Sequence, residues 1–152
     1  MMLLGKLILA GLLTAGAGTD LIRRKIPNVL ICIGLAAFLV LAGRLYFGGD
    51  TAVLTGCLFA GALAFFIHLI PWLMGSMGAG DVKLALIIGL LTGWEEWLGY
   101  LGMYCAALLA ASAIMLVRGK KRPKTVPLAA VMAAAWFAYY IQRLLPMWRG
   151  VS

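Results

Sequence analysis

The chain has 152 residues, of which 64% belong to the hydrophobic set and 12% are charged, and its mean hydropathy is +1.04. Soluble domains are roughly half apolar and about a quarter charged. The balance therefore excludes a disordered tail, a nucleic-acid module and an ordinary cytosolic enzyme, and it indicates an integral membrane protein in contact with the lipid bilayer. The net charge of +8 comes from 13 Lys and Arg against 5 Asp and Glu, nearly all between the apolar runs, a pattern of topology-setting loops.

A membrane-spanning helix needs ~20 mostly apolar residues, and the first candidate covers 3–19. Lys6 ahead of an apolar stretch that ends in Ala15, Gly16 and Ala17 also fits a cleaved signal peptide. Asp20 and Arg23-Arg24-Lys25 follow at once as a stop-transfer pattern, so a retained span is expected. Further candidates cover 28–47, 51–70, 81–94, 97–117 and 126–145. The expected fold is all-α: a polytopic membrane protein of about six transmembrane helices, forming one membrane-embedded domain over 1–152. Connections this short leave no room for a soluble domain, so any chemistry is expected at or inside the bilayer.

The fourth candidate, 81–94, has 14 residues, or ~21 Å of helix against a ~30 Å hydrocarbon core. Its start is expected below the membrane surface. The preceding 71–80, with Gly75, Gly78 and Gly80, reads as non-helical backbone that lines a cavity, since lipid does not tolerate such backbone.

An even number of spans places both termini on one side. Arg23, Arg24, Lys25, Lys83, Arg118, Lys120, Lys121, Arg122 and Lys124 fall in or beside the first, third and fifth connections. Lys6, Arg44, Arg143 and Arg149 lie on the other side with Asp50, Glu95 and Glu96, which read as outer-loop residues. The positive-inside rule then makes the richer face cytoplasmic and both termini extracytoplasmic. Trp72, Trp94, Trp97, Tyr139, Tyr140 and Trp148 near span ends read as interfacial anchors. Cys32, Cys57 and Cys105 stand alone without a CxxC pair, and His68 lies in an apolar run, so neither a disulfide framework nor a metal site is expected.

Asp20 and Asp81 are the two acidic residues that fall at the cytoplasmic ends of spans, the first and the fourth. An ionisable group there is costly and marks a functional site by default. Taken singly, Asp20 fits a cap on the loop before Pro27 and Asp81 fits an N-cap after a Gly-rich turn. Taken together, two carboxylates at one depth can share a proton, so that one accepts from water while the other donates to a carbonyl. A small cation-coupled transporter would also use paired intramembrane carboxylates, and a non-catalytic assembly scaffold would keep the fold without needing them.

The run Asp20-Leu-Ile-Arg-Arg-Lys-Ile26-Pro27-Asn28 resembles the first aspartate motif of the type IV prepilin peptidases, an Asp followed six residues later by Ile-Pro-Asn. Gly78-Ala79-Gly80-Asp81-Val82-Lys83 resembles their GxGD motif. The two stand in order, about 60 residues apart, and the resemblance covers nearly the whole chain. It implies a membrane aspartic endopeptidase that cuts the short basic leader from prepilins or pseudopilins on the cytoplasmic side, typically after a glycine, in a bacterial or archaeal cytoplasmic membrane. Asp20 and Asp81 would be its catalytic pair, with no metal, cofactor or covalent intermediate.

Gly78 and Gly80 would let the backbone bend and approach substrate closely, with φ > 0 open to them. Pro27, Asn28 and Lys83 would shape the loops around the pair, Lys83 pointing away from Asp81 on a helix and anchoring at lipid phosphates. Larger family members carry two CxxC pairs ahead of the first motif and also methylate the new N-terminus. Here 19 residues precede Asp20 and those pairs are absent, so the resemblance is to the compact peptidases of Flp/Tad-type pilus systems, without the methyltransferase. The final span, opening Thr125-Val126-Pro127-Leu128, is given no catalytic part.

Overall fold

The computed structural model describes residues 2–23, 25–75, 77–117 and 128–149, the side chains of 2–4, 115–117 and 144–149 excepted. The basic run at 118–124 and Pro127 lie outside the described residues. Six helices follow one another: α1 (Met2–Arg23), α2 (Asn28–Phe47), α3 (Thr51–Leu73), α4 (Ala79–Thr92), α5 (Trp94–Val117) and α6 (Leu128–Arg149). Among the described residues there is no strand, and the fold is the expected all-α polytopic membrane class. Among the described residues four stretches are long and apolar enough to cross a membrane: Gly5–Arg23, Asn28–Phe47, Thr51–Leu73 and Trp94–Ile114.

The short α4 is the centre of the bundle. It touches all five other helices, and nine of its 14 residues are buried, from Val82 to Thr92. A helix wrapped in protein does not have to match the thickness of the lipid, so a length too small for a span is no handicap there. The close approach of α3 explains how α4 is held. A methyl group on Gly89 would fall 2.5 Å from the Ala60 carbonyl oxygen, and one on Gly61 would fall 2.6 Å from Leu90. Small residues at such crossings bring backbones together where water-driven packing is absent. The outer helices instead turn Leu39, Val40, Phe66, Ile70 and Leu109 outward, which suits a lipid surface.

Several boundaries differ from the sequence reading. Helix α3 continues through Pro71 to Leu73, and α4 already begins at Ala79, so much of 71–80 is helical. Pro71 stands in the last turn of α3. The connection itself is a tight turn, with Gly75 at φ +72° and its N–H on the Trp72 carbonyl at 2.9 Å. At the other end Gly93, at φ +76°, separates α4 from α5 in a single residue, so Glu95 and Glu96 stand in the first turn of α5 rather than in a loop.

That first turn is built into the core. Glu96 is 9% exposed. It pairs with Lys6 of α1 at 2.7 Å and with Arg143 of α6 at 3.7 Å, and it accepts the Tyr140 hydroxyl. Arg143 also donates to the Tyr139 hydroxyl at 2.9 Å. Trp97, expected as an interfacial anchor, is 1% exposed and stacks on Trp94: it is a core residue. The acidic side chains of this turn also suit the positive end of the α5 dipole.

Candidate active site

Helix α1 carries its polar groups at opposite ends, Lys6 in the Glu96 cluster and Asp20 in its last turn. Asp20 is 8% exposed, although it lies among Thr19, Arg23 and Lys25. Among the described residues its carboxylate caps neither its own helix nor the following loop. The Ala129 backbone N–H, near the start of α6, donates to Asp20 Oδ2 at 3.2 Å. An acceptor with negative charge suits the unpaired N–H groups and the dipole of a helix start. The sixth helix, for which no catalytic part was expected, thus contributes a backbone donor to the Asp20 carboxylate.

Asp81 occupies the third position of α4. Gly78 N–H donates to Asp81 Oδ2 at 3.2 Å, and Asp81 N–H donates back to the Gly78 carbonyl at 3.1 Å. One carboxylate oxygen therefore does the work of a cap. The other, Oδ1, is buried and has no hydrogen-bond partner among the described residues. Capping accounts for half of this carboxylate, and the remaining oxygen is left for something else.

The two aspartates, from different helices, come close enough for the charge of Asp20 to act on Asp81. Two further contacts tie their motifs together. A methyl group on Gly80 would fall 3.0 Å from Ile26 Cβ, so the second motif rests on the first through a glycine. Lys83 Nζ donates to Asn28 Oδ1 at 3.3 Å, which gives the lysine a protein partner instead of the lipid contact expected for it. Pro27 stands at the N-cap of α2 in extended conformation, and Leu30 N–H donates to its carbonyl at 3.1 Å.

The glycines work differently from the expectation. Gly78 has φ −79° and Gly80 is helical, so neither uses positive φ; among the described residues that conformation belongs to Gly49, Gly75 and Gly93. What Gly78 and Gly80 supply is space. A methyl group on Gly78 would meet Asp81 Oδ2 at 3.0 Å, just as one on Gly80 would meet Ile26. Among the described residues, no three His, Cys, Asp or Glu side chains are grouped to hold a metal ion, and His68 bonds through Nδ1 to the Ala64 carbonyl at 2.8 Å.

These features define a multi-pass membrane protein with two carboxylates from separate helices gathered at one end of its bundle. The chain belongs to the type IV leader peptidase family, whose model matches residues 7–137. Neither a curated protein nor a solved structure matches it. Membership makes the chain a peptidase of the leader-peptidase kind, with a prepilin-type substrate implied by the family.

Proposed function

We propose that this protein is an intramembrane aspartic endopeptidase that removes the basic leader from type IV prepilins or pseudopilins at the cytoplasmic membrane face. Asp20 and Asp81 activate the water. The observation that carries this reading is the approach of two carboxylates from separate helices: Asp20 accepts a backbone donor from α6, and Asp81 accepts one from Gly78 while its Oδ1 has no partner among the described residues.

A dyad of this kind works with one proton shared between its two carboxylates. In that state one carboxylate takes a proton from water as the water oxygen attacks the scissile carbonyl carbon. The protonated partner gives its proton to the carbonyl oxygen. The tetrahedral species then collapses: the C–N bond breaks, the nitrogen takes up a proton, and a leader with a free carboxyl terminus leaves a mature chain with a free amino terminus. The two backbone donors fix the carboxylates without neutralising them, and general acid–base work of this kind contributes roughly 10²–10⁴-fold to rate.

Orientation follows from charge. Arg23, Lys25 and Lys83 lie at the Asp20–Asp81 end, which the positive-inside rule places toward the cytoplasm. The apolar segment of the prepilin then lies along the bundle with its leader at the cytosolic surface. Gly78 and Gly80 keep the Asp81 turn close to Ile26, and Pro27, Asn28 and Lys83 join the two motif-bearing segments.

Mass spectrometry of the products from purified peptidase and prepilin tests the substrate. A single new amino terminus at the boundary between the basic leader and the apolar segment is expected. Intact prepilin, or cuts scattered along the chain, would contradict the proposal.

A further inference from the structure

Three buried side-chain polar atoms have no hydrogen-bond partner among the described residues: Asp81 Oδ1, the Tyr104 hydroxyl and Trp136 Nε1. An unmet buried group is costly and calls for an explanation. Two of these three stand at one depth. From Gly93, where α4 turns into α5, Asp81 lies ~18 Å back along α4 and Tyr104 ~17 Å along α5, at 1.5 Å per residue. The charge of Asp81 reaches Tyr104, in keeping with that register.

The surroundings of Tyr104 hold its ring and leave its hydroxyl free. Tyr100 stacks on it with ring centroids 5.9 Å apart, and the His68 ring of α3 lies 5.5 Å away at 31°. His68 is itself fastened through Nδ1 to the Ala64 carbonyl. Tyr104 is 3% exposed. The side chain is thus packed as a core aromatic, yet it ends in a donor that the core does not use. Asp81 ends in an acceptor that its cap does not use.

Resting on the aspartic-peptidase reading, we propose that Tyr104 is a positioning residue for Asp81: in the substrate-bound enzyme its hydroxyl donates a hydrogen bond to Asp81 Oδ1. With Gly78 N–H on Oδ2, this second donor fixes the plane of the carboxylate against the water and the scissile carbonyl. One bond satisfies two buried groups that the resting protein leaves unmet. Hydrogen bonds of this kind commonly tighten only when substrate is in place.

The test is Tyr104→Phe, which removes the hydroxyl and keeps the ring. Three measurements on purified protein separate the outcomes: kcat and KM for leader cleavage, and the thermal midpoint in detergent. The expected result is a kcat lowered at least tenfold, an unchanged KM and a thermal midpoint equal to or above that of the parent, because the deleted hydroxyl had no partner in the resting fold.

A parent-like kcat would overturn the proposal. Failure of the variant to fold would overturn it too, since the hydroxyl would then have a structural partner. Tyr100→Phe, which deletes the hydroxyl of the stacked neighbour one turn away, keeps the parent kcat; an equal loss there would assign the effect to the aromatic stack and reject the role of Tyr104. Asp20→Asn and Asp81→Asn are assayed alongside. If they still cut, the aspartic reading itself fails, whatever Tyr104→Phe does.

Discussion

At the scale of single residues, the site depends on where a side chain is absent as much as on where one is present. Gly80 meets Ile26 at its Cβ, close to the backbone, so an added methyl group has no flexible tip to push aside. Overpacking of this kind costs about 1–3 kcal/mol. Gly80→Ala is expected to insert normally but to process prepilin at least tenfold more slowly, read as the rate of the mobility shift, because the misfit separates the two motifs. Lys83→Met should change that rate by no more than a few fold: its bond to Asn28 is exposed, and a net hydrogen bond is worth roughly 0.5–1.5 kcal/mol. The two motifs that single out the aspartates, Asp20-x₅-Ile26-Pro27-Asn28 and Gly78-x-Gly80-Asp81, can be read from spacing alone. The Ala129 donor cannot, because a backbone N–H carries no residue signature and lies 109 positions from Asp20. The Ile26 contact of Gly80 was hidden for a related cause: a motif names the residue, while the neighbour that crowds it is set by packing.

At the scale of elements, α4 determines the arrangement. Its burial by all the other helices fixes the depth of Asp81, and its crossing with α3 at Gly89 and Gly61 fixes its height in the bundle. Gly89→Val places branched carbon against the Ala60 carbonyl, a backbone atom that cannot yield, so we expect the variant to lose its folded form in detergent, read as loss of the thermal transition. Retention of the parent midpoint would contradict the close-packed crossing. The six helices were readable from apolar runs and punctuation, and α2 was read with its ends correct because Pro27 and the Gly48-Gly49 turn bound it. The ends around α4 were harder. Gly93 turns the chain in one residue through a positive φ, and the sequence there, Gly93-Trp94-Glu95-Glu96, looks equally like a polar loop. What makes it helical is tertiary: Glu96 meets Lys6, Arg143 and Tyr140.

At the scale of the whole molecule, polar chemistry is divided between two ends. The Asp20–Asp81 end keeps the unpartnered Asp81 Oδ1, whereas the Glu96 carboxylate at the other end joins α1, α5 and α6. Glu96→Gln leaves Lys6 and Arg143 without their carboxylate and should cost about 1.5–3 kcal/mol of stability, the range for hydrogen bonds to charged groups. Cleavage per folded molecule should not change, because the site lies at the far end of α1 and α4. A fall in kcat at equal folded fraction would show coupling between the ends. The rate at the other end should follow a bell-shaped pH profile, since an acid and a base are both required; a profile flat across the carboxylate range would contradict the shared-proton mechanism.

The most direct measurement of that mechanism is leader cleavage of a co-expressed prepilin from the same organism, compared among the parent protein, Asp20→Asn and Asp81→Asn at matched membrane levels. Asn keeps the size and a carbonyl oxygen for the Ala129 or Gly78 donor but cannot exchange a proton. The account predicts that each variant inserts normally and leaves the prepilin at its precursor mobility. Cleavage at the parent rate by either variant would contradict it.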